Sequence, residues 1–408
     1  MMCDLEPAEI RKGKEFVVEI ARPGPAGQTA AARLGLPASW GELEDALARS
    51  RVTDDRVIYA VDVQEARMRR LLDHMPEHAN LYELNYLAQR LALLDKDAYR
   101  LYEGMVSIEE TYGPTAEIPI PRLIDLADPE NISLCNIIPV DNDVALGIYA
   151  CNHGHLSEIR AMPPAENSHF DYKRMGRELR VKEHGKFFPE GGYLRMGADI
   201  IPKYCPEHML RPEKPSWVFS LDIAIPRYAT VHLELPDHTE HFDKVVKMVR
   251  ERGCAVPRFE SILPLLSGRF DCDDDLSELN ELADAIRTLD GKGELPKYRA
   301  LVETFLYPDM DGAIGSSWDA VDATDLAKRL DEYTLLTELT TPDRIAEECL
   351  NEHYNISEED PLFPFINLLD FGEWIVCVSD TCFKSRYGLV SRKDGRELWD
   401  IPSHEMTL

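Results

Sequence analysis

A chain of 408 residues has room for two or three domains of ordinary size. With 44% hydrophobic and 8% aromatic residues it can bury real cores, which excludes a disordered polyacidic tail. Seventy-four acidic against 45 basic side chains give a formal net charge of −29, a field that repels nucleic acid and lipid headgroups and favours cationic partners.

The start, Met1-Met2-Cys3-Asp4-Leu5-Glu6, lacks the basic and apolar regions of a signal peptide, and no apolar run approaches the roughly 18 residues of a spanning helix. Nine cysteines at scattered positions form no disulfide framework, so a reducing, cytoplasmic setting is expected. In chain order, Val18-Glu19-Ile20-Ala21 alternates as a strand, and a Leu36-Pro37 step is followed by a short helix expected around Leu43 and Leu47. From Leu81 the apolar residues Leu81, Leu84, Leu87, Ala88, Leu91 and Leu94 share one helical face, capped by Asn80 with Glu83 completing a capping box. Asp125-Leu126-Ala127, a strand over Ile132 to Ile138, a helix led by Asp143, and Gly176 and Gly192 complete the first stretch.

The same signals then recur in order at shifts of 195 to 203 residues. Leu221-Asp222-Ile223-Ala224 reads as the strand, Leu235-Pro236 as the Leu-Pro step, and Phe242 and Val246 as the short helix. Leu276-Ser277-Glu278-Leu279-Asn280-Glu281-Leu282-Ala283 matches Leu81-Tyr82-Glu83-Leu84-Asn85-Tyr86-Leu87-Ala88, with Asp275 as the cap. Asp325-Leu326-Ala327, a strand over Tyr333 to Leu339, Asp343, and Gly372 and Gly388 follow. Such a period identifies a duplication. Repeat one is placed at 14–198, a proline-rich semi-rigid linker at 199–215, and repeat two at 216–400. Each repeat reads as a small sheet, a helical middle and a strand–helix–strand close, so the class is α+β with an elongated whole.

The charge is uneven. Residues 101–150 carry nine acidic side chains and one basic, and 301–350 carry twelve and three, whereas 151–200 are close to neutral. These two acidic windows cover equivalent stretches of the repeats, and such localisation does not fit a uniform salt-adapted surface. Duplex DNA presents one negative charge per about 1.7 Å of axis, and phosphates position a protein without conveying sequence. Folded carboxylates can occupy a cleft built for that lattice. The candidates are Glu103, Glu109, Glu110, Glu117, Asp125, Asp128, Glu130, Asp141 and Asp143 in repeat one. In repeat two they are Asp309, Asp311, Asp319, Asp322, Asp325, Asp331, Glu332 and Asp343. None is expected to be catalytic.

The Leu-Pro step, the Glu-Leu-Asn helix start, Phe365-Ile366-Asn367, Phe371-Gly372 and Tyr387-Gly388 together resemble the ArdA antirestriction proteins. Repeat one carries the same pattern in Glu83-Leu84-Asn85, Met175-Gly176 and Gly191-Gly192-Tyr193. The resemblance is to the long forms carried by mobile elements of gut Firmicutes, and it covers most of both repeats. It implies a non-enzymatic DNA mimic that binds a Type I restriction–modification enzyme in the bacterial cytoplasm, with no cofactor. It also implies a homodimer, for which two copies in one chain could substitute as an intramolecular pseudo-dimer. The alternative is an acidic interaction protein directed at another DNA-binding defence complex, such as a CRISPR effector.

A third reading is a metal-dependent enzyme. Cys151-Asn152-His153-Gly154-His155 with Cys205-Pro206-Glu207-His208 offers soft ligands, and Asp271-Cys272-Asp273-Asp274-Asp275 offers carboxylates. Repeat two keeps only His353 near the first set, and the acidic run abuts a helix start, where the dipole favours acids. No metal is therefore expected. No phosphate-loop, nucleophile-elbow or His-Glu-x-x-His string occurs. Trp40, Trp217, Trp318, Trp374 and Trp399 are spaced like core or interface residues.

Overall fold

The computed structural model describes residues 13–398, apart from 24–28, 53–56, 77–78, 114–116, 154–169, 189–190, 197–198, 209–210, 268, 271–274, 307–317, 340 and 379–380. The first run of elements is β1 (Phe16–Pro23), β2 (Thr29–Leu36), α1 (Trp40–Arg49), β3 (Ala60–Ala66), α2 (Leu81–Ala92), α3 (Lys96–Tyr112), α4 (Ile120–Leu126) and α5 (Pro129–Ser133). It ends with β4 (Cys135–Ile138), α6 (Asp143–Asn152), α7 (Tyr172–Lys182), β5 (Lys186–Phe187) and β6 (Tyr193–Met196). The second run is β7 (Phe219–Ala224), β8 (Val231–Leu235), α8 (Glu240–Arg252), β9 (Ala255–Ser261), α9 (Leu276–Gly291), α10 (Leu295–Leu306) and α11 (Ala320–Lys328). A 3-10 turn at Leu330–Glu332 leads to β10 (Tyr333–Leu336), α12 (Pro342–Tyr354), α13 (Leu368–Val378), β11 (Cys382–Ser385) and β12 (Gly388–Arg392).

The class is α+β, built on small three-stranded sheets ordered β2-β1-β3, β4-β6-β5, β8-β7-β9 and β10-β12-β11. Among the described residues no helix is long and apolar enough to cross a membrane. The chain divides into two compact units. One comprises Met1–Ala21, Arg33–Ala38 and Tyr59–Pro212; the other comprises Arg22–Ala32, Ser39–Ile58 and Glu213–Leu408. Helix α1 thus belongs to the second unit, although it lies early in the chain.

In the first unit, α2 buries Leu81, Leu84, Leu87, Ala88 and Leu91 and stops at Ala92, so Leu94 falls beyond the helix. Asn80 caps it by accepting from Tyr82 N and Glu83 N. The Glu83 carboxylate, however, takes the Tyr204 hydroxyl instead of closing a capping box. The strand expected from Ile132 starts later, at Cys135. Asp128 caps a short helix with Pro129 in its first turn, and Ile132 is part of that helix. Asp143 follows the true cap of α6, Asn142, whose side chain accepts from Ala145 N. The connector is strapped to this unit. Ile201 exchanges hydrogen bonds with the Asn131 side chain, and Lys203 N and Tyr204 N both donate to Asp125 Oδ1.

Both Glu-Leu-Asn helices hold a turn in the same way. Asn85 Oδ1 accepts from Ala38 N at 2.7 Å and its Nδ2 donates to Ala38 O at 3.1 Å. Asn280 makes the same pair with Asp237 N and O at 2.7 and 3.1 Å. The peptide bonds Leu36–Pro37 and Leu235–Pro236 just before these residues are both cis. Because Asn85 is buried, Asn85→Ala strands two backbone polar groups away from water, and a loss of about 2 kcal/mol is expected. Denaturant unfolding checks this: an unchanged midpoint would show that the side chain is not what holds the turn.

The second unit is organised on one large core running from Val218 through α8, α9, α10 and α11 to Tyr387 and Val390, with Trp40, Trp217 and Trp318 packed against it. Helix α1 is fitted closely here, since a Cβ on Gly41 would lie 2.6 Å from Ile262 O. Beside this core sits a buried polar cluster. The Tyr387 hydroxyl donates to Asp45, and Glu303 accepts from Arg386 N and Nε at 3.1 and 2.8 Å. Burial pushes the Glu303 carboxyl above its usual 4.5, despite the opposing Arg386. A raised folded value means that protonated Glu303 favours the fold. That contribution is complete below the ordinary carboxylate range and fades as pH rises through the raised value. Wild type is therefore expected to lose stability relative to Glu303→Gln as pH climbs from 4.5, measured as melting temperature against pH. Parallel curves would mean that Glu303 does not titrate in the fold.

A smaller core of Leu339, Ile345, Ile375 and Leu389 holds α12 and α13 against the last sheet. In the first unit Ile138, Leu146 and Tyr193 do the same for α6 and its sheet.

Candidate protein-binding face

In the second unit, helices α9 and α11 pack together with their apolar sides inward: Leu276, Leu279, Leu282, Ala283, Ile286 and Leu289 from α9, and Ala320, Ala323, Leu326 and Ala327 from α11. Helical periodicity then fixes what faces out. On α9 these are Glu278 and Glu281, with Asp284 part-way; on α11 they are Asp319 and Asp322, with Asp325 part-way. Both helix starts are rigidly set. Asp275 accepts from Ser277 N and from Arg250 at 2.7 Å, and Asp319 and Asp322 form a reciprocal capping box. Lys328 Nζ lies 2.6 Å from Glu281, and the His238 ring Nε2 lies 3.1 Å from Asp284. The Glu281 carboxylate, helped by Asp325, holds the Lys328 amine above its usual value, so that charge is fixed.

The first unit treats its acids differently. Glu109 is held by Arg122 Nε at 2.9 Å, and Glu110 lies 3.9 Å from Arg70 and 3.7 Å from His74. Asp128 is buried, 3.3 Å from Arg90, while Glu130 meets Lys203 at 2.5 Å and Asp143 meets Arg180 at 2.9 Å. Asp125 is buried under the connector that it anchors. Glu103 is half-buried, whereas Glu117 and Asp141 are exposed. In the second unit Asp331 is exposed, Glu332 is clamped by Arg329 at 2.7 Å and Arg392 at 3.1 Å, and Asp343 is half-buried in the first turn of α12. Asp309 and Asp311 lie outside the described residues. The structure therefore gathers Asp319, Asp322 and Asp325 on one ridge and places Glu109, Glu110, Asp128, Glu130, Asp143 and Glu332 in ion pairs.

Compared with known proteins, the chain matches no family model and no curated protein. Sequence reasoning read Glu278 as the residue completing a capping box with Asp275, a box that does not form, and gave Glu281 and Asp284 no role. Their signal was available as acids three residues apart on the outer face of α9, where α2 has Glu83, Tyr86 and Gln89.

The metal candidates that the structure describes, Cys151, His153 and Cys205, do not form a cluster. Among the described residues no group of three or more His, Cys, Asp or Glu side chains could hold an ion. The His153 ring stacks on Tyr149 at 4.0 Å, and burial pushes the Cys151 thiol up. His155, the His208 side chain, and Asp271, Cys272, Asp273 and Asp274 lie outside the description, as does Trp399.

Proposed function

We propose that this chain is a tandem duplication of an ArdA-like module, acting in the bacterial cytoplasm as an acidic DNA mimic. On this reading it occupies the DNA-binding cleft of a Type I restriction–modification enzyme, stoichiometrically and without catalysis. The observation that supports the reading is the α9–α11 pair, whose outer side carries Glu278, Glu281, Asp319 and Asp322 exposed with Asp284 and Asp325 beside them, while Glu109, Glu110, Asp128, Glu130 and Asp143 of the first unit lie in ion pairs. A surrogate for a phosphate lattice benefits from carboxylates held on a packed helix pair, because side chains ordered in advance lose less entropy on binding.

The duplication is supported by the element order, which runs twice through the same sequence of sheet, helical middle and closing sheet. It is also supported by the paired roles of Asn85 and Asn280. The mimic face is assigned to Glu278, Glu281, Asp284, Asp319, Asp322 and Asp325. The test is the plating of unmodified phage on cells carrying a Type I system, with and without this protein. Plating near the restriction-free level supports the reading; restriction unchanged by abundant, folded protein rejects the Type I target.

A further inference from the structure

The pair α12–α13 carries a surface that the α9–α11 ridge does not account for. Between Asp343 and Glu373 lie nine acidic side chains and one basic, Arg344, which is engaged by Glu347 at 2.8 Å. Within this acidic stretch Tyr354 and Trp374 are 58% and 54% exposed. The rings of Tyr354, Phe371 and Trp374 form a row, with centroids 6.3 and 5.9 Å apart and the last two nearly parallel. The loop joining the helices adds Leu362 and Phe365, the latter 87% exposed. The core beneath is formed by Leu339, Ile345, Ile375 and Leu389; Phe371 packs against it and anchors the row, whereas Tyr354, Leu362, Phe365 and Trp374 are exposed. Large aromatics held at the surface beside exposed Glu352, Glu358, Glu359, Asp370 and Glu373 have the composition of an interface centre with a charged rim.

We propose that this face docks a protein segment presenting apolar anchors flanked by lysine or arginine, in its simplest form a basic amphipathic helix. The aromatic row requires an apolar partner, and the rim selects cations while repelling nucleic acid and anionic lipid. A second copy of the same face would set carboxylates against carboxylates. The basic helix of this chain, α7, is a poor substitute: Val181 is its one largely exposed apolar side chain, and Arg174 and Arg180 are held by Glu178 and Asp143. The proposal does not rest on the mimic reading, since a DNA cleft has no need of apolar anchors.

The test uses the full chain and a fluorescently labelled synthetic amphipathic helix of leucine and lysine, followed by anisotropy at physiological salt. Binding is expected to weaken about tenfold or more with Trp374→Ser, with Phe365→Ser and with the pair D370N and E373Q. It is expected to persist when Asp322 and Asp325 on α11 are changed to asparagine, and to vanish for a leucine–glutamate helix. Equal affinity of Trp374→Ser, Phe365→Ser and wild type would reduce the effect to general charge attraction and overturn the proposal. So would binding of the leucine–glutamate helix, capture by anionic vesicles, or sedimentation showing that copies of the chain associate through Trp374.

Discussion

Gly372→Ala is expected to release α12 and α13 from the second unit while leaving its main core folded. The helices cross where Gly372 meets Pro342. An added Cβ would sit 2.8 Å from Pro342 Cα and closer still to its carbonyl carbon and oxygen. Backbone atoms cannot rotate aside as a side-chain tip can, so the helices must separate. Overpacking of this kind costs about 3 kcal/mol or more. The local core of Leu339, Ile345, Ile375 and Leu389 is too small to absorb that. Hydrogen exchange resolves the outcome by element: amides of α12 and α13 lose protection, whereas those of α9 and α10 keep it. Retained protection in α13 would mean that the crossing is looser than its geometry. Gly176→Ala is expected to act likewise on α6 and α7, because its Cβ would meet the Asp143 carbonyl and lie 2.9 Å from Gly147 N.

These two glycines also show how much of the fold was legible. Their matching positions were visible as a repeat signal, but their work, a backbone-to-backbone helix crossing, depends on residues 29 to 33 positions away. Local chemistry was readable: Asn80 and Asp275 cap their helices because a side-chain oxygen there meets free N–H groups. Leu84 and Leu279 are buried because their periodicity leaves no other face for them. Charge was less readable. A window count registers Asp125 and Asp322 alike, although Asp125 is buried beneath the connector and Asp322 is exposed on α11. Neutralisation is a tertiary property. Arg122 reaches Glu109, Arg180 reaches Asp143 and Lys203 reaches Glu130 across separations that no local pattern contains. The placement of α1 in the second unit is equally non-local, resting on Gly41 against Ile262 and Asp45 against Tyr387.

Neutralising the ridge should therefore separate charge that recognises from charge that only solvates. A variant carrying Glu278→Gln, Glu281→Gln, Asp322→Asn and Asp325→Asn keeps side-chain size and leaves the Asp275 and Asp319 side-chain caps in place, and the amide oxygen of Asp322→Asn can still accept from Asp319 N, so its fold is expected to survive. Each exposed carboxylate lost from a basic cleft forfeits about 0.5–1 kcal/mol, so the four together weaken binding by roughly 2–4 kcal/mol, on the order of 30- to 1,000-fold. Any one alone falls within a few-fold of wild type, since no member of a phosphate-like array is indispensable. Phage plating on restricting cells should fall toward the level seen without the protein, and duplex DNA should displace the variant from the enzyme at far lower concentration. A matched variant with Glu352→Gln, Glu358→Gln, Glu359→Gln and Asp370→Asn removes the same charge from the α12–α13 region. Undiminished antirestriction in that variant locates recognition on α9 and α11. Equal loss in both variants would mean that net charge, not the ridge, attracts the target.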